Sequence, residues 1–381
     1  MDFGWSQTQR QLFDDILRFA RTNLNGDVVA RDRNHEFGRK QWERCAEMGL
    51  LGLPLPKEFG GLELDHLSVA LGLEALGQGC EDTGLVFSIA SHLFAAAVPI
   101  WKHGSARIKS TILPRMSSGA CIGANAVTEA GAGSDPSGMK CRAEKVAQGY
   151  VLNGEKSFVT NGPVAGAVVV FAMTNPAFGH LGMSAFVVEA GTKGLTIGSP
   201  FEKIGLRTSP TSSIYFEDCL VPEDHLLGEE GQGATILKES MFWERTCEFA
   251  TWVGSMQRQL DRTVEYARTR KQGRKSIGTH QAVAHELVDM SIRLEAARLL
   301  LYRACWLLDQ QQPAEKEVCM AKIAISEASI RSSLAAIQIH GANGVVTEYE
   351  MERFLRDAVP STITSGTSEV QRNIISSYLG L

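Results

Sequence analysis

AVTEAGAGSD, Ala126 to Asp135, and LNGEKSFVTNG, Leu152 to Gly162, are the two runs on which the fold of this chain turns. From Ala120 to Ser137 the residues are small, Gly-rich and polar, with Thr128, Glu129, Ser134 and Asp135 set among Gly131 and Gly133. Glycines let a backbone turn sharply and approach a ligand with its N–H groups free to donate. Hydroxyls and amides at that density suit a flat, polar heterocycle or a diphosphate. Alone, such a loop is more often a plain turn between strands. The second run adds a short strand, Ser157 to Thr160, closed by the turn-forming pair Asn161-Gly162. Phe158 and Thr160 are expected on one face of that strand, where a ring can stack and be hydrogen-bonded.

Bulk properties exclude several classes. A chain of 381 residues exceeds what one core usually supports, so two or three sub-domains are expected. Apolar content of 44% is that of an ordinary globular protein. No run is expected to span a membrane, and MDFGWSQTQR at the N-terminus has neither the charged nor the apolar region of a signal peptide. The 8 cysteines are scattered without a C-x-x-C pair, which points to buried, reduced thiols in a cytoplasmic protein. The 9 histidines include no His-x-x-x-His pair, and His280 and His285 do not share a helix face, so no metal is expected. A net charge of -5 argues against nucleic acid. RTRKQGRK, Arg268 to Lys275, is a local basic exception whose simplest meaning is a solvated loop between helices.

The texture of the chain changes twice. Residues 1–120 are expected to form an N-terminal helical domain: Leu12, Ile16 and Phe19 mark one amphipathic face, and Pro54, Pro56 and paired glycines break the pattern between Leu50 and Gly61. Residues 121–226 carry short β-rich runs, Val168–Met173 and Met183–Glu189, with further candidates at Tyr150–Leu152 and Ser213–Glu217. Strands so closely spaced, with no helices between them, imply an antiparallel β-barrel or sandwich. Gly228 to Gly233 lies between a loop and a helix, so it makes no case for a nicotinamide-binding fold. Residues 227–381 are helical again. Val283, Leu287, Met290, Leu294, Ala297, Leu301, Ala304 and Leu308 recur at alternating steps of four and three, and Val318, Ala321, Ile325, Ala328, Ala335 and Ile339 continue the pattern in the next helix. Such seams form a helical bundle. The whole is an α+β architecture of helical domain, β domain and four-helix bundle.

The two opening runs resemble the flavin-binding signature of the acyl-CoA dehydrogenase family. The resemblance continues through KIGLRTSPTSSIYFEDCLVP (Lys203 to Pro222), the Glu244-Arg245 helix, IQIHGANGVVTEYEMERFLRD (Ile337 to Asp357) and SGTSEVQR (Ser365 to Arg372). It covers nearly the whole chain in order. It implies FAD-dependent oxidation of an acyl thioester, with a carboxylate removing the α-proton and hydride leaving for flavin N5. It also implies cofactor contacts from Val127, Thr128, Ser134, Phe158 and Thr160, with Phe158 in place of the family's common Trp. By the same resemblance Arg270, Gln338, Thr367 and Glu369 reach the cofactor of a neighbouring subunit. A homo-oligomer, a tetramer by preference, is therefore expected. Gly273 and Arg274 depart from the Phe-Gly that usually follows Arg270.

The base departs from the commonest pattern. Straight-chain members carry Glu directly before Gly-Thr near the C-terminus, where this chain has Ser365. Branched-chain and long-chain members place their base on an earlier helix, directly before an Arg, which here is Glu244 before Arg245. At helical spacing the inward stripe of that helix is Phe242, Thr246, Phe249, Val253, Met256 and Leu260, with Glu244 on a second face beside Leu237 and Met241. Arg245 and Ser365 are expected at the substrate, the Ser365 N–H polarising the thioester carbonyl. The resemblance is closest to the branch that oxidises an aminoacyl group, notably prolyl, held on a carrier protein in secondary metabolism. A short branched-chain acyl-CoA such as isovaleryl-CoA fits Ser365 and Glu244 equally well. An oxidase and a catalytically silent flavin-binding homologue are the further alternatives. The electron acceptor implied is a flavoprotein or oxygen.

Overall fold

A computed structural model describes residues 4–381. The first helix starts on a reciprocal cap: the Ser6 hydroxyl accepts from the Gln9 N–H at 3.1 Å, and the Ser6 N–H donates to Gln9 Oε1 at 3.0 Å. The N-terminal layer comprises α1 (Gln7–Asn23), α2 (Val28–Asn34), α3 (Arg39–Glu47), α4 (His66–Gly79), α5 (Thr83–Ser91), α6 (Val98–His103) and α7 (Ala106–Ser117). A π-helical turn, His92–Ala97, fuses α5 to α6. The resulting run, Thr83–His103, is long and apolar enough to cross a membrane by length and composition, contrary to the sequence expectation. It is apolar all round because 94% of its most apolar window is buried inside the protein.

The strands are β1 (Gly123–Ala126), β2 (Arg142–Val146), β3 (Gly149–Thr160), β4 (Ala167–Met173), β5 (Met183–Glu189), β6 (Leu195–Ile197), β7 (Thr211–Pro222) and β8 (Leu226–Leu227). They form one 8-stranded sheet in the order β6-β7-β3-β2-β4-β5-β8, with β1 added on β4. Most pairs are antiparallel, but β1 runs parallel to β4 and β2 touches β4 in parallel at Arg142–Met173, so the sheet is mixed. Tyr150–Leu152 and Ser157–Thr160, read separately in the sequence, are two ends of the single 12-residue strand β3. The sheet curls around its own core, in which Ala126, Val168, Val170 and Phe186 meet Tyr150, Leu152, Ile214 and Phe216. The alternate residues Val169, Phe171, Ala185 and Val187 pack outward against Ile100, Ile112, Met116 and Ile236 of the helices. Burial on both faces explains the continuous apolar run of β4.

The C-terminal layer contains α8 (Gly233–Trp243), α9 (Phe249–Thr269), α10 (Gln281–Asp309), α11 (Glu315–His340), α12 (Met351–Ala358) and α13 (Ser368–Tyr378). The basic loop is a small hairpin, β9 (Lys271–Gln272) with β10 (Lys275–Ser276). Met290, Leu294, Ala297, Leu301 and Ala304 are buried as the seam requires, as are Val318, Ala321, Ile325, Ala328 and Ala335, whereas Val283, Leu287, Leu308 and Ile339 toward the helix ends are only partly buried. Val288, Ile292 and Leu299 form an exposed apolar stripe on α10.

Glycines set the distance between the two helical layers. A Cβ at Gly77 of α4 would lie 2.2 Å from the Thr251 carbonyl oxygen, and one at Gly254 of α9 would lie 2.0 Å from that of Glu74. Only bare backbone allows that approach. Glu74 itself is buried, and its carboxylate accepts from Arg298 Nε at 2.8 Å and from the Tyr302 hydroxyl at 2.5 Å, tying α4 to α10. Gly254→Ala should therefore destabilise the protein by about 1–3 kcal/mol or more, through overpacking against rigid backbone. Gly26→Ala, where an added Cβ meets nothing within 4 Å, serves as the control and should stay within about 0.5 kcal/mol. Chemical denaturation of both variants checks the contrast; equal midpoints would refute it.

Candidate active site

The Gly-rich run and β3 are joined by a buried ion pair. Lys156, fully buried, donates from Nζ to Glu129 Oε1 at 2.8 Å and to the Val127 carbonyl at 3.0 Å. The Glu129 carboxylate also accepts the N–H groups of Lys140 at 2.6 Å and Cys141 at 3.0 Å. Burial pushes its pKa up, but Lys156 and these backbone donors outweigh it and hold the group below its ordinary value. One further bond, from the Ser157 N–H to the Thr128 carbonyl at 2.8 Å, fixes the two runs side by side. The loop opens as a tight turn in which Glu129 and Ala132 exchange backbone bonds. Gly131 and Gly133 do not adopt left-handed backbone, and a Cβ on either would meet nothing within 4 Å. Their contribution is open space beside the loop, not a sharp reversal.

Phe158 is placed by an irregularity the alternation argument did not anticipate. The β3–β7 register slips between Lys156 and Val159, and Phe158 takes a φ of 57°. That conformation is strained for an aromatic residue and turns the ring outward. Phe158 is 67% exposed, with its ring 5.3 Å from Phe201. Thr128 and Thr160 are half-buried, Val127 likewise, and Ser134 is exposed on the loop. Asn161 anchors the end of β3 by donating to the Ser88 carbonyl at 2.9 Å and the Gly123 carbonyl at 3.1 Å. An exposed aromatic ring, two threonines and a glycine loop with open space form a cradle that suits a planar heterocycle.

The second half of the site lies on the helix that α8 and α9 would make if unbroken. A π-helical turn, Glu244–Glu248, separates them. Such turns insert one residue and rotate the faces on either side, and they recur at functional positions. Here the turn brings Trp243 and Glu244 inside and leaves Phe242 only partly buried, against the simple 3.6-residue stripe read from the sequence. Glu244 is 6% exposed; Oε2 accepts from the Ser365 hydroxyl at 2.9 Å and Oε1 from the Ser240 hydroxyl at 3.2 Å. Burial raises its pKa, opposed by Ser365, Arg245 and Ser240. Arg245 donates from Nε to the Ser365 carbonyl at 2.9 Å. Ser365 has a φ of 53°, the strained left-handed region for a non-glycine, and its N–H donates to no acceptor among the described residues.

Glu244, Arg245 and Ser365 are thus brought together across 121 residues of sequence. A cavity of about 390 Å³, lined by Leu237, Met241, Phe242 and Arg245, opens on one side of this turn. A second of about 210 Å³, lined by His66, Ser240, Phe242 and Trp243, opens on the other. Other expected residues stay apart. Thr367 caps α13 by accepting from the Val370 N–H at 3.2 Å, and Glu369 is exposed near Arg372. Arg270 and Gln338 are exposed and make no side-chain hydrogen bond among the described residues. Ser240, Glu248 and Lys322 were missed in the sequence. Lys322 had a signal, since it sits one step from Ala321 in an otherwise apolar seam.

The comparison with known proteins follows the same three layers. The acyl-CoA dehydrogenase N-terminal, middle and C-terminal domain profiles match residues 6–120, 124–219 and 231–379. The chain belongs to the acyl-CoA dehydrogenase family. It is 45% identical to an L-prolyl-[peptidyl-carrier protein] dehydrogenase of Pseudomonas fluorescens, over 100% of both chains. Among solved structures it is similar to PigA with FAD and proline, at 41% identity and a TM-score of 0.98 over 100% of each chain. It is also similar to the prolyl acyl carrier protein oxidase AnaB, at 41% identity and a TM-score of 0.97 over 99% of this chain and 100% of that one.

Lys156→Met leaves Glu129 buried without its cation. Removing one partner of a buried pair typically costs about 3–5 kcal/mol, so the variant should melt well below the parent and lose the cradle. Thermal unfolding of the variant checks this, and a loss under about 1 kcal/mol would show that the pair is dispensable.

Proposed function

We propose that this chain is an FAD-dependent dehydrogenase that oxidises a prolyl group presented as a thioester on a peptidyl carrier protein. The observation that carries the reading is the buried Glu244 carboxylate bonded to the Ser365 hydroxyl. The family's commonest base position holds a serine, and the carboxylate approaches from the α8–α9 turn instead. Full-length similarity to L-prolyl-[peptidyl-carrier protein] dehydrogenases at 42–45% identity supports the prolyl group and the carrier.

The cradle residues fit a flavin: Phe158 presents its ring, Thr128 and Thr160 their hydroxyls, and Val127 and Ser134 the loop edge. FAD, when bound, supplies the hydride acceptor. Glu244 is the general base that takes the proton from the prolyl α-carbon. Its low exposure strips water from the carboxylate and strengthens its basicity. The free Ser365 N–H donates to the thioester carbonyl oxygen, where negative charge develops as the proton leaves. Arg245 holds the Ser365 carbonyl and so fixes the strained backbone that aims this N–H. Ser365 is small beside the α-carbon, which leaves room for a ring or branch.

The exposed stripe Val288, Ile292 and Leu299 serves as a subunit face of a homotetramer, in which Arg270, Gln338, Thr367 and Glu369 reach a neighbour's cofactor. Electrons leave through a flavoprotein or oxygen. The buried thiols suit a reducing cytoplasm: all 8 cysteines are free and buried.

Offered prolyl-carrier protein and isovaleryl-CoA separately, the protein should bleach its flavin with the first and remove hydrogen from the carrier-bound prolyl group by mass. Turnover of the CoA ester alone would overturn the substrate. Glu244→Gln keeps the shape and removes the base, so flavin reduction should fall about 10²–10⁴-fold with FAD retained. Because burial raises the Glu244 pKa, the rate in the parent should drop as pH falls, along a limb above the ordinary carboxylate range. Stopped-flow reduction across pH checks both, and an unchanged rate in the variant would remove Glu244 from its role.

A further inference from the structure

One helical turn past Glu244, the same π-helical segment buries a second carboxylate. Glu248 is 1% exposed, and its Oε1 has no hydrogen-bond partner. Its surroundings can be counted group by group. Its own turn supplies Glu244 and, facing away toward Ser365, Arg245. From α11 comes Lys322, whose ammonium is fully buried and lacks an acceptor, lying 5.3 Å over the Phe249 ring. From the loop before α13 comes the Ser365 hydroxyl, which donates to Glu244 at 2.9 Å and is near enough to Glu248 to oppose the rise of its pKa. Cys247, on the opposite side, turns its thiol to the His66 carbonyl, where α4 meets the Asp309 end of α10.

The donor count in this pocket is uneven. The Ser365 hydroxyl donates to Glu244 at 2.9 Å, and the Ser240 hydroxyl, shared with the Leu237 carbonyl at 3.0 Å, reaches its other oxygen at 3.2 Å. Among the described residues, Glu248 has no ion pair within 4 Å and an oxygen without a donor. Two carboxylates a turn apart in a desolvated site cannot both ionise cheaply, and the charge settles where the donors are. We propose that Glu248 is the positioning residue of the base: it remains a neutral carboxylic acid beside Ser365 and confines the pair's single negative charge to Glu244. This deepens the assignment of Glu244 as the base and rests on it. A neutral Glu248 leaves Ser365 free to donate to Glu244. An ionised one would compete for that hydroxyl and set a like charge beside the base.

The directions of titration agree with the geometry. Glu248 is pushed well above its ordinary value, by burial first and by Glu244 second, with Lys322 and Ser365 opposing. Lys322 is pulled down to about 8, chiefly by burial and by Arg245. The arrangement explains why the charge of the pair rests on Glu244: hydroxyl donors reach both of its oxygens, and Glu248 Oε1 has none among the described residues.

Infrared difference spectroscopy of the FAD-loaded protein at neutral pH tests where the proton sits. The parent should show a protonated carboxyl stretch that disappears in Glu248→Gln and persists in Glu244→Gln. A band lost in Glu244→Gln instead, or no such band, overturns the proposal. Kinetics test the positioning. Glu248→Leu should slow flavin reduction by about tenfold or more without changing KM, and Glu248→Gln should restore most of it. The acid limb of the Gln variant should stay near that of the parent, because one neutral group replaces another. A downward move of about one pH unit or more would mean that an anion had been removed, and would overturn the proposal. Full activity in Glu248→Leu would also overturn it. If that variant loses FAD or melts early, the infrared band and the Gln limb still decide. An unchanged rate in Glu244→Gln would sink the base assignment alone, since the infrared band reports the Glu248 proton regardless.

Discussion

Lys156 is an ammonium with no exposed surface, and Glu129 is the only carboxylate it pairs with among the described residues. Isolated, either charge would cost several kcal/mol to bury. Paired, and with Glu129 also receiving two backbone N–H groups, they clamp a glycine loop that has little side-chain packing of its own to a slipped point on β3. The turn at Gly131, the outward Phe158 and the half-buried threonines all take their places from this clamp. A cradle for a planar ligand needs open space. Open space cannot be held by filling it, so a strong directional contact beneath it does the holding.

The opposite wall of the site meets the same difficulty with different means. As the proposed base, Glu244 must be dry enough to be strong, yet charged enough to act. Two serine hydroxyls supply the donors, and the π-helical turn supplies the direction, swinging Glu244 inward while Phe242 is left at the cavity walls. The strained Ser365 completes this wall: its hydroxyl bonds the carboxylate, its carbonyl is held by Arg245, and its N–H remains to donate. Strain in both walls, at Phe158 and at Ser365, is tolerated because the surrounding layers are rigid. That rigidity comes from the glycine-lined crossing of α4 and α9 and from Glu74 held between Arg298 and Tyr302.

Much of this was legible in the chain alone. The order of helical, β and helical layers followed from periodicity and turn residues, and the middle of the seams of α10 and α11 buried the side chains their spacing named. The family followed from several long motifs in order, and Glu244 followed from the serine at position 365 together with the Glu-Arg pair. These are properties of local sequence, where side-chain period and residue type act over a few residues.

Tertiary structure decided what local rules cannot carry. The helix period put Phe242 in line with Thr246 and Phe249, and the π-helical turn between them broke that line, because an inserted residue rotates the side chains after it by about 100° relative to those before it. The alternation of a regular strand has no place for the register slip against β7 beside Phe158, or for the left-handed backbone that Phe158 adopts there. Thr83–His103 has the composition of a membrane helix, and only packing on all sides makes it a core helix. Glu248 left no sign in the sequence, and Lys322 only its place beside an apolar seam, because their meaning depends on burial without partners, and burial is set by neighbours distant in the chain. The sequence by itself determined which chemical groups were available and which family they serve. The fold alone determined which carboxylate receives the donors, because a hydrogen bond spanning 121 residues has no trace in local spacing.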